Sequence, residues 1–320
     1  MKSILACLAM TALTVASPAS FAQTGQPTLT MIVPYTAGGS SDSIVRAMGQ
    51  AITRQHNIPV VVDNKPGGGT YIGAQSLLSK PADGHTVFMM GSSTVINPYL
   101  LGKAPYDVAR DFAPVSGVAE NPHVLVVNPS VPAKTVQEYL AFAKERKDAS
   151  FYSSFGNGSS GHLGFELFKR KTGITPSHAP YKGGAPALMA VLSGEVNATF
   201  ADVGTAAPHI AAGKLRALGV VGPKRSPALP DVPTFGEAGV PGITSQSWFV
   251  MVARNGTPPA QLARLTEILG ESLKDAEVKK ALAAQGMEPL NMAPSAISSF
   301  LKDEGLKFQT VIREAKIQAD

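Results

Sequence analysis

The chain has 320 residues, a formal net charge of +5, 44% hydrophobic residues and one cysteine, Cys7. One cysteine excludes an intrachain disulfide framework and a thiolate metal cluster. The basic residues fall in scattered clusters such as Lys144-Glu145-Arg146-Lys147 and Lys169-Arg170-Lys171, with no aromatic residues between them, so nucleic acid is not an expected partner.

The N-terminus reads as an export signal. Lys2 gives a positive start, Ile4 to Val15 an apolar run, and Ser20-Phe21-Ala22 a small-residue cleavage site. Residues 1–22 are therefore expected to be removed, leaving an exported chain that starts at Gln23. The apolar run is shorter than the ~20 residues a membrane span requires. About 300 residues remain, more than a single core comfortably serves, so two domains are expected.

Leu29 to Val33 reads as a short buried strand. The loop Pro34-Tyr35-Thr36-Ala37-Gly38-Gly39-Ser40-Ser41-Asp42 follows, and Ile44, Met48 and Ile52 then mark a helical stripe. Val60-Val61-Val62 is a second strand, Asn64 to Gly69 a turn, and Ile72, Leu77 and Leu78 belong to another helix. Asp83-Gly84 turns into the strand Thr86 to Met90, which ends at Gly91-Ser92-Ser93-Thr94. Strands alternating with helices imply a parallel α/β sheet, in which ligands sit beyond the carboxyl ends of the strands. The loops at 35–42 and 91–94 occupy such ends.

Val124 to Val127 is a wholly apolar strand between Pro122 and Pro129, read as a crossover between domains. Thr135 to Lys147 is helical, with Val136, Leu140 and Ala143 inward. Then comes Phe151-Tyr152-Ser153-Ser154-Phe155-Gly156-Asn157-Gly158-Ser159-Ser160-Gly161-His162. A strand, a glycine loop and a helix start form an anion cradle. The first helical N–H groups have no internal partner, and the helix dipole adds positive potential. Leu163, Leu167 and Phe168 lie on one side of that helix, and Gly173 stops it.

Ile174 to Tyr181 leads into Lys182-Gly183-Gly184-Ala185-Pro186, with Pro186 in the first turn of a helix carrying Leu188, Met189 and Leu192. Val196 to Phe200 is a strand ending at Asp202. A helix from about Ala206 stops at Gly213, and Leu215 to Val221 is the next strand. Pro223 to Gly242 is a proline-punctuated surface loop, and Trp248 to Ala253 a second apolar crossover. The rest is helical and is expected to pack back on the first domain.

Other chemistries find less support. Gly156-Asn157-Gly158-Ser159-Ser160-Gly161 matches G-x-G-x-x-G, but the acid that a dinucleotide site needs about 20 residues later is replaced by Pro180-Tyr181-Lys182. Ser159 and His162 stand three apart and suggest a serine hydrolase, yet no G-x-S-x-G elbow surrounds them, and capping explains the pair. The six histidines form no ligand-spaced pair, so neither a metal nor a cofactor is expected. Asp42 and Asp202 read equally as N-caps and as site residues.

The segments Ile32 to Asp42, Val62 to Gly69, Gly156 to Leu163, Pro180 to Gly184, Gly213 to Leu218 and Leu229 to Thr234 resemble, in order, the Bug family. These are the TctC-like substrate-binding proteins of tripartite tricarboxylate transporters. The resemblance implies an α/β, two-lobed, type II-like periplasmic binding protein fold. Each lobe would be a mixed sheet flanked by helices, with the ligand cleft between the lobes. It implies a first lobe of 27–122 plus 253–320 and a second of 123–252, joined by crossovers near His123–Val127 and Trp248–Val252. It further implies a monomer without catalytic residues that captures a small carboxylate for the membrane subunits of a transporter. The expected ligand-binding residues are Tyr35, Thr36, Ala37, Gly38, Gly39, Ser40, Asp42, Ser92, Ser93, Ser154, Gly156, Asn157, Gly158, Ser159, His162, Tyr181 and Asp202. One departure, Tyr35-Thr36-Ala37 ahead of the double glycine where the family usually carries prolines, keeps ligand identity from being carried over. A ligand-sensing protein without its own transporter and an exported serine hydrolase remain the alternatives.

Overall fold

The computed structural model describes residues 26–102, 105–315 and 317. The expected export signal lies outside them. Among the described residues no helix is long and apolar enough to cross a membrane.

Three parallel strands open the fold. They are β1 (Leu29–Val33), β2 (Val60–Asn64) and β3 (Thr86–Gly91), linked by helices α1 (Ser40–His56) and α2 (Tyr71–Leu78). β3 leads into α3 (Ser92–Leu100), and α4 (Val108–Asp111) into the long strand β4 (Phe112–Val127). The second half follows as α5 (Val136–Arg146), β5 (Phe151–Ser154), α6 (Ser160–Thr172), β6 (Ser177–Pro180), α7 (Gly184–Ser193), β7 (Ala198–Asp202), α8 (Val203–Ala211) and β8 (Arg216–Val220). The chain returns through β9 (Gln246–Arg254) to α9 (Pro259–Ser272), α10 (Ala276–Ala284), β10 (Glu288–Pro289) and α11 (Pro294–Ala315).

The strand order is β2-β1-β3-β9-β4-β7-β5-β6, with β8 and β10 also on β4. β4 joins the two halves. Its residues Phe112–Pro122 pair antiparallel with β9, and His123–Val127 pair with β7 and β8. The short strand expected at Val124–Val127 is thus the end of a longer one. Trp248–Val252, expected as the second crossover, pairs with β3 on one side and β4 on the other, inside the first half.

Burial on both faces explains the unbroken apolar runs. In β4, Leu125 and Val127 enter one core with Tyr139, Phe165 and Phe168, whereas Val124 and Val126 enter another with Leu188, Val191 and Ala206. In β1, Met31 and Val33 face a core with Ile44, Met48, Leu265 and Leu269, and Ile32 faces one with Leu77, Ile96, Ile297 and Leu301. Alternation across each strand therefore gives every half two cores. The helical tail packs on the first half as expected. α9 and α10 lie on α1, while α11 lies on α3 and β4 and also reaches α6.

Candidate functional site

The loops after β1, β3, β5 and β6 all lead into helices, and these carboxyl-end loops face one another across the junction of the two halves. Together with the start of β9 they enclose a cavity of about 300 Å³. Gly39, Ser40 and Ser41 come from the start of α1, and Ser92 and Ser93 from α3. Ser159 and Ser160 come from α6, and Gly183 immediately precedes α7. Four helix N-termini therefore converge. Gly39, Gly91 and Gly183 occupy the N-cap positions of α1, α3 and α7, and none has a side chain to cap the first-turn N–H groups. Uncapped N–H groups and aligned dipoles make an anion site. Among the described residues, no lysine or arginine lines the cavity.

Aromatic rings form the remaining wall. Tyr35 meets Phe249 edge-on, with ring centroids 6.0 Å apart, on the side of the first half. Phe155 enters from the second half and stands edge-on to buried His123 at 5.4 Å. Polar helix starts combined with apolar rings suit a small ligand that has an anionic end and a carbon body.

α3 shows why its part of the wall was only partly legible. Its sequence contains Pro98, which cannot donate a hydrogen bond to Thr94 O. The Tyr106 hydroxyl donates to that carbonyl instead, at 2.8 Å, and allows the helix to run through the proline. A partner outside the helix therefore completes it.

Of the expected site residues, Tyr35, Thr36, Gly39, Ser40, Ser92, Ser93 and Ser159 line the cavity. Ala37, Gly38, Asp42, Ser154, Gly156, Asn157, Gly158, His162, Tyr181 and Asp202 do not. Several of these shape the loops from behind. Asp42 accepts from Gly38 N–H at 2.8 Å, Arg46 Nε at 2.9 Å and Asn64 Nδ2 at 2.9 Å, which ties the first loop to its own helix and to β2. Burial opposes its charge, but the hydrogen bonds from Arg46, Gly38 and Asn64 outweigh it and hold the carboxyl below its ordinary range.

The second loop is braced similarly. Ser154 Oγ lies 2.7 Å from His178 Nε2 and accepts from Gly156 N–H at 3.2 Å. His162 Nδ1 accepts from Gly158 N–H at 3.0 Å, and its ring stacks on His178 at 3.8 Å. Burial, and then the neighbouring His178 and Lys169, push the His162 imidazole down to about 3, so it is neutral at physiological pH. Tyr181 donates to Glu195 at 2.8 Å. Asp202 occupies the N-cap position of α8 without capping it, because its carboxylate turns to Ser247 and His123.

Ser41, Phe155 and Ser160 lie in the expected site loops without being named among the contacts, and sequence reasoning missed Gly183, Ser247, Trp248 and Phe249 as cavity-lining residues. Gly183 carried a local signal, a double glycine ahead of a helix with Pro186 in its first turn. Ser247 and Phe249 carried none, since only the placement of β9 between β3 and β4 brings them to the cavity.

Two half-sheets joined by a shared strand, with a cavity walled by helix N-termini from both, define a two-lobed periplasmic binding protein fold. The family model for the tripartite tricarboxylate transporter family receptor matches residues 44–317, and the chain belongs to that solute-binding family. Protein BugT of Bordetella pertussis is 35% identical over 286 residues, 89% of this chain and 88% of BugT. A Rhodopseudomonas palustris protein solved with adipate is 32% identical, with a TM-score of 0.79 over 91% of this chain and 98% of that one. MatC from the same organism, solved with bound malate, is 27% identical, with a TM-score of 0.76 over 89% of this chain and 98% of MatC.

Proposed function

We propose that this chain is exported, loses residues 1–22 and works in the periplasm. There it captures a small carboxylate in the cavity between its lobes for the membrane subunits of a tripartite transporter. The observation that carries the reading is the convergence of the α1, α3, α6 and α7 N-termini on one cavity. A carboxylate there rests on backbone N–H groups and serine hydroxyls, in charge-assisted hydrogen bonds that lobe closure strengthens by excluding water. The adipate and malate held by the two R. palustris relatives support this ligand class.

We also propose that the lobes divide between Pro122 and His123 and between Ser245 and Gln246. This assigns 27–122 and 246–320 to the first lobe and 123–245 to the second, so β9 belongs with the strands it pairs with. A thermal-shift screen of mono-, di- and tricarboxylates, aromatic acids included, tests the binding function. A true ligand at 100 times its Kd adds ~2.7 kcal/mol of stability. No shift with any carboxylate would overturn the reading.

A further inference from the structure

Behind the cavity wall, at the junction of the lobes, lies a hydrogen-bonded group of four side chains. His123, fully buried on β4, has Nδ1 2.6 Å from Ser245 Oγ and Nε2 3.2 Å from Ser247 Oγ. Ser247 Oγ donates to Asp202 Oδ1 at 3.1 Å, and that same oxygen lies 3.3 Å from His123 Nε2. Asp202 and His123 are register partners on β7 and β4, so strand pairing sets their separation. Only Ser247 of the four lines the cavity.

A proton count orders this group. A carboxylate only accepts, and a serine hydroxyl has one proton and two lone pairs. Ser245 Oγ donates its proton to Ser160 O at 3.1 Å, so towards His123 it accepts, and Nδ1 bears the histidine proton. Nε2 and Asp202 Oδ1 are then both acceptors, and the single Ser247 proton is held between them on the inner side. Towards the cavity the Ser247 oxygen keeps only lone pairs. The helix N-termini on the opposite walls present donors. The cavity therefore has donor walls and one acceptor corner, with the Asp202 carboxylate behind the corner to attract positive charge.

We infer that the ligand is a carboxylate with a hydrogen-bond donor, a hydroxyl or an ammonium, on its carbon body, and that Ser247 reads this donor. His123 and Asp202 are positioning residues that deny Ser247 any other polarity. The inference rests on the carboxylate reading of the same cavity. An acid without the donor would leave the Ser247 lone pair facing carbon, and a site built to hydrogen-bond a substrate group rejects the analogue that lacks it.

The test is titration calorimetry of the mature protein with linear dicarboxylates of increasing length, each beside its 2-hydroxy and 2-amino counterparts. Ser247→Ala and Asp202→Asn are titrated in parallel after their folding is checked by thermal denaturation. The expected result is a preference of about ten-fold or more for a substituted acid over its parent, collapsing towards unity in Ser247→Ala. Asp202→Asn, whose amide can donate to Ser247 and free its proton, should also reduce the ratio. Whether the hydroxy or the amino counterpart leads identifies the donor. Equal or tighter binding of the parent acids overturns the inference and leaves the carboxylate reading standing. So does a preference that survives in Ser247→Ala. Failure of every acid, substituted or not, overturns both.

Discussion

Gly158 donates its N–H to His162 Nδ1, so the imidazole must be bare at that nitrogen for the second loop to keep its shape. Folding drives the His162 proton affinity down to about 3, from about 6.5 in an unfolded chain. Above about pH 6.5 the ring is neutral in both states and contributes no pH dependence. As pH falls below that value the unfolded chain takes up a proton that the native chain refuses. Stability is then lost by up to about 1.4 kcal/mol per pH unit, until the native ring also titrates near 3. His162→Gln offers the Gly158 N–H an acceptor that does not titrate in this range. Urea denaturation at pH 7 and pH 5 should show a smaller loss of stability in the variant than in the parent. Equal losses would place the acid sensitivity elsewhere.

At the scale of elements, the site is a matter of how α1, α3, α6 and α7 begin and of what keeps those starts close. Gly158 sits at φ +69° in the loop before α6, and a Cβ there would stand 2.5 Å from Leu100 Cδ2 on α3. Alanine would incur left-handed backbone strain of about 1–2 kcal/mol. It would also displace the tip of the Leu100 side chain, against which the loop rests. The expected outcome for Gly158→Ala is a fold that survives, a melting temperature lower by several degrees and clearly weaker ligand binding. Trp248, the single tryptophan, provides the readout. It borders the cavity, donates its indole N–H to Glu304 Oε2 at 2.9 Å and meets the Phe300 ring at 5.0 Å. Ligand titrations followed by its emission should give a larger Kd for the variant. An unchanged Kd would mean that the loop does not need its approach to α3.

The whole molecule adds a second meeting of the lobes, at α8. A Cβ on Gly204 would lie 2.5 Å from Gly286 Cα, in the turn that precedes β10. Backbone cannot swing aside as a side-chain tip can. Gly204→Ala should therefore hold the lobes apart, hinged where β4 passes from β9 to β7 and β8 and where β9 begins. Small-angle scattering should show the parent contracting when it binds a confirmed carboxylate. The variant should have a larger radius of gyration and contract less. Identical curves for the two proteins would count against a hinge at these strands.

The strand–loop–helix units were legible because their determinants are local. Alternating apolar residues, glycines at loop positions and the Gly173 stop of α6 act within a few residues of the structure they specify. The availability of helix N–H groups is equally local, so an anion cradle could be read at Gly38-Gly39-Ser40 and at Gly158-Ser159-Ser160. Which cradles share a cavity could not be read. Bonds such as Ser245 to Ser160, 85 residues apart, and Ser245 to His123, 122 apart, exist only after β9 has returned to pair beside β4. Tyr106, the donor that completes α3, is only 12 residues from Thr94, but it lies beyond the end of the helix and no local pattern points it back at that carbonyl. The inner roles of Asp42 and His162 are local, with partners four residues away, yet they were not legible, because a short motif does not show which side of a loop its polar groups face. Local spacing determined the elements and their open helix ends. Strand pairing over more than a hundred residues decided which ends meet and which residues they enclose.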